Sequence, residues 1–132
     1  MGLNKELQTI YSFIPEMNCK QGCHECCGPI TWSPVEDMSI KEYMKEHNIT
    51  DVHWSVKQYV ANNFLCPYIK DDKCIIYPVR PIVCRLQGHI KKLPCPHKKD
   101  FDVSKQLEDQ IMRKIMKLNK NYLEEKYVEI RA

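Results

Sequence analysis

The stretch CKQGCHECCG at residues 19–28 places four of the chain's eight cysteines close together. Its glycines, with the proline at position 29, disfavour a helix or a strand, so the stretch predicts a folded loop. Thiolates packed this closely repel one another unless a cation or a cluster takes up their charge. We therefore expect a metal centre to order this loop and to organise the fold around it.

The other four cysteines follow at wider intervals, and all eight are candidate metal ligands. They are Cys19, Cys23, Cys26 and Cys27 in the first group, and Cys66, Cys74, Cys84 and Cys95 in the second. A zinc site usually takes two short C-x₂₋₄-C pairs, whereas Cys23 and Cys26 form the single C-x₂-C pair of this chain. The adjacent side chains of Cys26 and Cys27 diverge in most backbone conformations, which suits an extended cluster or two centres. Iron–sulfur clusters take four cysteines each, so one or two [4Fe–4S] clusters are favoured and zinc is the alternative.

Composition narrows the class of protein. The chain has 132 residues, about the length of one domain, so we expect a single metal-binding domain over residues 1–132. Its four glycines lack the spacing of a dinucleotide fingerprint or a phosphate-binding loop. We find no apolar run of the roughly 18 residues that a membrane span needs, and no secretory signal. A cytoplasmic, reducing location is therefore expected, where dense cysteines indicate metal more often than disulfides.

Apolar periodicity predicts a mainly α-helical domain of about four helices with irregular cysteine-rich loops. The first helix is expected to end before Pro15. The second is expected to begin at Ser33-Pro34-Val35-Glu36 and to end near His47, because serine at the N-cap, proline at the first position and glutamate at the third form a capping signature.

The second half of the chain predicts two more helices and a possible short β-hairpin. A third helix is expected to begin at Thr50, and the last near Asp102 or Ser104. Their predicted buried faces are Val52, Val56, Tyr59 and Val60 in the third helix, and Leu107, Ile111, Ile115, Leu118 and Tyr122 in the last. Between them, two extended arms around a polar turn predict the hairpin within residues 66–77.

Several of these segments together resemble the CxxCxxCC family of zinc- or iron-chelating cysteine-cluster proteins. The resemblance rests on Cys-x₃-Cys-x₂-Cys-Cys from Cys19, and on the segments CPYI, CIIY and RPIVCR from Cys66, Cys74 and Arg80. It implies metal binding. The family has two residues between its first two cysteines where this chain has three, and Cys95 lies outside the matching pattern, so its ligand role is our inference. One class of relatives, the flagellin lysine N-methylases, joins such a cluster to methyl transfer onto lysine.

Basic residues accompany the second group of cysteines. Arg80 and Arg85 flank Cys84, where their guanidinium groups could bind the cofactor by donating hydrogen bonds to its sulfurs, or lower the thiolate pKa; a structural ion pair is the alternative. A basic stretch surrounds Cys95 and consists of His89, Lys91, Lys92, Lys98 and Lys99. Two four-thiolate clusters would add a charge of about −4 to the formal net charge of +3, and the basic residues near the cysteines would offset that charge locally. Without interleaved aromatic residues, nucleic-acid binding is not expected.

The sequence thus predicts an iron–sulfur protein that acts in electron transfer or as the cluster-bearing subunit of a partner enzyme. A protein partner is expected in either role. One alternative is a zinc-stabilised protein-binding module whose surface does the work. The other is a small metalloenzyme that modifies a peptide side chain, so the sequence leaves open whether the protein is an enzyme.

Overall fold

A computed structural model describes residues 2–16, 28, 31–71, 73–95 and 100–131, with side chains described from residue 4 to residue 127. Five α-helices and one two-stranded sheet occur within these ranges. The helices are α1 (Gly2–Ser12), α2 (Pro34–Glu46), α3 (Val56–Ala61), α4 (Ile82–Leu86) and α5 (Lys105–Arg131). The strands are β1 (Ile69–Lys70) and β2 (Lys73–Cys74), and a 3₁₀ helix follows over Tyr77–Val79. The prediction of a mainly helical protein with a short hairpin is confirmed.

The larger hydrophobic cluster joins the two terminal helices to α2 and α4. The predicted apolar face of α5 provides part of it, because Ile111, Ile115 and Leu118 are all buried. From α1, Leu7 and Ile10 pack against this face. Apolar residues recur every three or four positions in both helices, so each presents one continuous stripe to the other.

A second hydrophobic cluster lies on the other side of α2. Ile40 and Met44 of that helix are buried here together with Tyr68 and Ile76, which flank the hairpin. The strands pair antiparallel, with Ile69 opposite Cys74. Because α2 contributes to both clusters, it connects the helical part of the protein to the hairpin that carries two cysteines.

The boundaries of α2 and α5 agree with the capping chemistry in the sequence. Ser33 is the N-cap of α2 and forms the predicted capping box with Glu36. The Oγ of Ser104 accepts a hydrogen bond from the N–H of Leu107 at the start of α5. Ser104 thus satisfies a backbone N–H group that the first turn of α5 leaves unpaired, and at the start of α2 the Glu36 carboxylate accepts from the N–H and the hydroxyl of Ser33.

The prediction for the third helix is wrong in its start and in its buried face. Helix α3 begins one residue after Ser55, which forms a capping box with Gln58, whereas Thr50 lies in a non-helical segment. Val56 is 77% exposed and Val60 is 56% exposed. A complete capping box at Ser55 outcompetes the lone hydroxyl of Thr50, and the resulting helix of six residues is too short to reach either cluster.

Over the ranges that the structure describes, no helix combines the length and apolar character needed to cross a bilayer.

Candidate metal centre

The hairpin brings two cysteines of the second group together. Cys66 precedes β1 and Cys74 ends β2. The carbonyl of Cys66 accepts a 3.1 Å hydrogen bond from the N–H of Ile69, and Ile69 is the residue that pairs with Cys74. The register of this small sheet therefore fixes the separation of the two cysteines.

Burial has the largest effect on the pKa of both thiols, and the backbone acts against it. Backbone hydrogen bonding at Tyr68 lowers the pKa of Cys66, and backbone hydrogen bonding at Ile76 lowers the pKa of Cys74, in each case two residues beyond the cysteine. A hydrogen bond to the charged form favours the thiolate over the thiol. The backbone of the hairpin is thus already arranged to stabilise negative charge on both sulfurs.

The net effect of the surroundings still opposes ionisation when no cation is bound. Burial raises the pKa of the Cys66 thiol and the pKa of the Cys74 thiol above their ordinary value. A charge on Cys66 raises the pKa of Cys74 further, while the positive charge of Arg80 lowers it. A positive centre bound near both sulfurs would therefore favour the thiolate form of each.

The environment of this pair is apolar. Cys66 is buried in the second hydrophobic cluster with Tyr68 and Ile76, and Cys74 packs against the same cluster. The hydroxyl of Tyr68 donates a 2.9 Å hydrogen bond to Asp51, which fixes the ring beside Cys66. Charges interact more strongly in such surroundings than in water.

The remaining predicted ligands are placed as follows. Cys84 lies in α4, half-buried, and Cys95 is buried after the turn that the bridge between Ile90 and Leu93 closes. Among the described residues, no three His, Cys, Asp or Glu side chains form a group that could hold a metal ion. Within the described residues, Cys66 and Cys74 are therefore a pair without a third candidate ligand. The first cysteine group, Cys19, Cys23, Cys26 and Cys27, lies outside the described residues, so the ligand set of eight stays a prediction.

Arg80 and Arg85 make contacts that the sequence did not indicate. The guanidinium of Arg80 lies 3.7 Å from the ring centre of Tyr77, and that of Arg85 lies 3.8 Å from the ring centre of Tyr11. Neither arginine forms an ion pair with a described acidic residue. Arg80 acts electrostatically on Cys74 because the 3₁₀ helix at Tyr77–Val79 turns the chain back beside the hairpin.

Sequence reasoning missed a buried carboxylate that connects three helices. Glu36 is 1% exposed. Its carboxylate accepts hydrogen bonds from the Tyr11 hydroxyl of α1, from the N–H and hydroxyl of Ser33, and from the N–H of Ile82, the first residue of α4. The capping signature identified Glu36 only as part of α2. Helix α4 was not predicted at all, although Pro81 at its N-cap was a usable signal.

His89, which the sequence groups with the basic residues around Cys95, is buried in the structure. Its side chain is fully buried, and its Nδ1 lies 3.3 Å from a carboxylate oxygen of Asp102. The Nε2 atom has no hydrogen-bond partner among the described residues. The N–H of Val103 donates to the His89 carbonyl, which brings the start of α5 over the ring.

Comparison with known proteins gives one match. The model of the family described as "CxxCxxCC: Putative zinc- or iron-chelating domain" covers residues 18–108. No curated protein and no solved structure matches the chain. The matched range contains all eight cysteines and extends beyond the segments that carry the resemblance in the sequence, so that Cys95 also falls inside it. The chain belongs to the CxxCxxCC family of zinc- or iron-chelating domains.

Proposed function

We propose that this protein binds an iron–sulfur cluster of the [4Fe–4S] type and acts in electron transfer or as the cluster-bearing accessory subunit of a partner enzyme. The observation that carries the proposal is the register of the hairpin, which brings Cys66 and Cys74 together in an apolar cluster, where the backbone also favours negative charge on both sulfurs. Hydrogen bonds to sulfur are one of the means by which proteins set the potential of such clusters. The density of cysteines suits a reducing, cytoplasmic compartment.

The apolar cluster around the pair also supports this function. Two thiolates in such a place are costly unless a positive centre is bound between them. When bound, an iron–sulfur cluster takes up and releases single electrons. Tyr68 and Ile76 would limit the access of water to the sulfurs, and Arg80 would place a positive charge near Cys74.

In this proposal two of the other six cysteines complete one four-thiolate centre with Cys66 and Cys74, or all six complete two such centres. Cys84 and Cys95 would belong with some of the first group, Cys19, Cys23, Cys26 and Cys27, because the described residues give Cys66 and Cys74 no third ligand. Arg80 and Arg85 would act on the cofactor through charge, with Arg80 next to Cys74 rather than next to Cys84.

The deciding experiment is anaerobic purification followed by iron, zinc and acid-labile sulfide quantitation and a visible spectrum on one sample. Iron with a matching amount of acid-labile sulfide would support the proposal, together with an absorption band at about 400 nm that changes reversibly on reduction and reoxidation. Stoichiometric zinc without sulfide would overturn it. A metal centre that binds an added small ligand has an open coordination position, and this result would instead favour the small metalloenzyme.

The surface of α5 favours a second candidate, a zinc-stabilised protein-binding module. Met116, Leu123 and Tyr127 form an exposed apolar row beside Ser33 and Pro34. Exposed apolar patches on soluble proteins often mark interaction sites. Zinc in the metal analysis, together with loss of helical circular dichroism on chelation, is the result that this candidate predicts.

A further inference from the structure

A cavity of about 300 Å³ lies between the end of α1 and the segment that leads into α4. It is distinct from the Cys66–Cys74 pair, and neither cysteine lines it. Its lining residues are Gln8, Tyr11, Ser12, Ile14, Pro15, Glu16, Arg80 and Arg85. Polar and charged groups dominate this wall, and the volume falls at the lower end of the range of small-molecule sites.

Both guanidinium groups in the cavity are fixed in place. Arg80 donates from Nε to the carbonyl of Tyr77 at 2.9 Å and stacks on the Tyr77 ring. Arg85 donates from Nε to the carbonyl of Arg80 at 2.7 Å and from Nη2 to the carbonyl of Pro78 at 3.0 Å. The hydrogen bonds of the described residues use only Nε of Arg80, so both Nη groups of Arg80 remain available, whereas Arg85 also interacts with the Tyr11 hydroxyl. A rigid fork with free donors is the geometry that binds carboxylate and phosphate oxygens.

The wall of the cavity holds more guanidinium groups than carboxylates. Burial, and the nearby charge of Arg80, lower the pKa of Arg85, while the charges of Glu16 and Glu36 act in the opposite direction. Of these two carboxylates, Glu16 lies in the cavity wall and Glu36 does not. Two guanidinium groups therefore face one carboxylate across the cavity, and an anion bound between them would reduce their mutual repulsion.

We propose that the cavity between Arg80 and Arg85 is a binding site for a small oxyanion, a carboxylate or phosphate group of a soluble ligand. The Nη groups of Arg80 supply the open fork, and the positive charge of Arg85 adds to the attraction for the anion. Tyr77 and Tyr11 hold the two guanidinium planes, so little side-chain entropy is lost on binding. Glu16 opposes the anion and weakens the site.

The test is a titration of the metal-loaded protein at pH 7 with potassium phosphate and with potassium acetate, at ionic strength held constant with potassium chloride. The readout is the set of arginine Nε–Hε signals in an NMR spectrum. We expect saturable shifts for Arg80 and Arg85, and none for the exposed Arg113 on α5. Tighter binding of phosphate identifies a phosphate group, and tighter binding of acetate identifies a carboxylate. Shifts that do not saturate, or that chloride reproduces, would overturn the proposal.

Two variants separate anion binding from a general effect of charge. Arg80→Gln removes the open fork and should weaken the favoured anion about tenfold or more. Glu16→Gln should strengthen it by about threefold, since the opposing charge is exposed. Arg113→Gln is the matched control, and it should leave the affinity unchanged. Unchanged affinity in Arg80→Gln, or weaker binding in Glu16→Gln, would rule the site out even where the wild-type protein binds the anion.

Discussion

The hydroxyl of Tyr11 donates a 2.8 Å hydrogen bond to the carboxylate of Glu36, which joins α1 to α2 inside the protein. Burial, and then the negative charge of Glu36, raise the pKa of Tyr11 far above its ordinary value, so the phenol stays protonated and acts as a donor at neutral pH. Arg85 lies over the other face of the same ring. The three side chains thus connect the terminal helix to the segment that carries Cys84.

Glu36→Gln is expected to destabilise the protein by about 2–4 kcal/mol. The substitution replaces one carboxylate oxygen by an NH₂ group that faces donors from Tyr11, Ser33 or Ile82, so that buried donors lose their acceptor. The free energy of unfolding from urea denaturation measures the effect. Glu42→Gln, at an exposed position of α2, is the matched control and should change stability by no more than about 0.5 kcal/mol. Equal stability of the two variants would contradict the role given to Glu36.

The helix caps give a second prediction, which compares two serines with the same local chemistry. Ser104 accepts from Leu107 and Ser55 accepts from Gln58, at 3.1 Å and 3.2 Å. Helix α5 carries a buried face, whereas α3 has no buried side chain. Ser104→Ala should therefore lower the free energy of global unfolding by about 1 kcal/mol. Ser55→Ala should open α3 locally and leave the global value nearly unchanged.

Urea denaturation reports the global change, and amide hydrogen exchange reports the local opening. Faster exchange confined to residues 56–61 is expected for Ser55→Ala. A global loss as large for Ser55→Ala as for Ser104→Ala would show that α3 contributes more to the folded state than its exposure indicates.

The long helices and the hairpin were predictable because their signals are local. Periodicity identified α1 and the face of α5, and Ser33 with Glu36 identified the start of α2. The start of the third helix was predicted wrongly because Thr50 and Ser55, five positions apart, are both suitable N-cap residues. The apolar pattern did not decide between them. The buried roles of Glu36 and His89 depend on residues far away in sequence, such as Tyr11, Ile82 and Asp102. A single sequence does not reveal such tertiary partners, and the same limit applied to the pairing of Cys66 with Cys74.

The hydrogen bond from Tyr68 to Asp51 gives a pH-dependent prediction. Burial alone would raise the pKa of Asp51, but the hydrogen bond from Tyr68 and the nearby His53 outweigh it and hold this pKa below the ordinary 3.8. A carboxyl group whose pKa is lowered on folding contributes stability above its unfolded pKa, and this contribution disappears as the pH falls through the folded value. The stabilising coupling between Tyr68 and Asp51 should thus be complete above about pH 5 and decline below about pH 4.

A double-mutant cycle of Tyr68→Phe and Asp51→Asn measures this coupling by urea denaturation between pH 7 and pH 3.5. The cycle cancels any loss of metal in acid that is common to the four proteins. His53 is exposed, and His53→Gln in the same background shows whether it contributes. A coupling that grows as the pH falls would contradict the assignment of Asp51 as the charged acceptor.

The last prediction concerns the cysteines of the hairpin. If Cys66 and Cys74 share one centre, Cys66→Ser and Cys74→Ser should each remove the same amount of metal, and the double variant should remove no more than either alone. Each variant should also lose stability, because the energy of metal binding contributes to folding. Metal content per protein chain, measured after anaerobic purification, gives the comparison. Ile75→Val provides the control, since Ile75 packs against the same cluster without a sulfur, and it should retain full metal content. Additive losses in the double variant would show that Cys66 and Cys74 serve separate centres despite their electrostatic coupling.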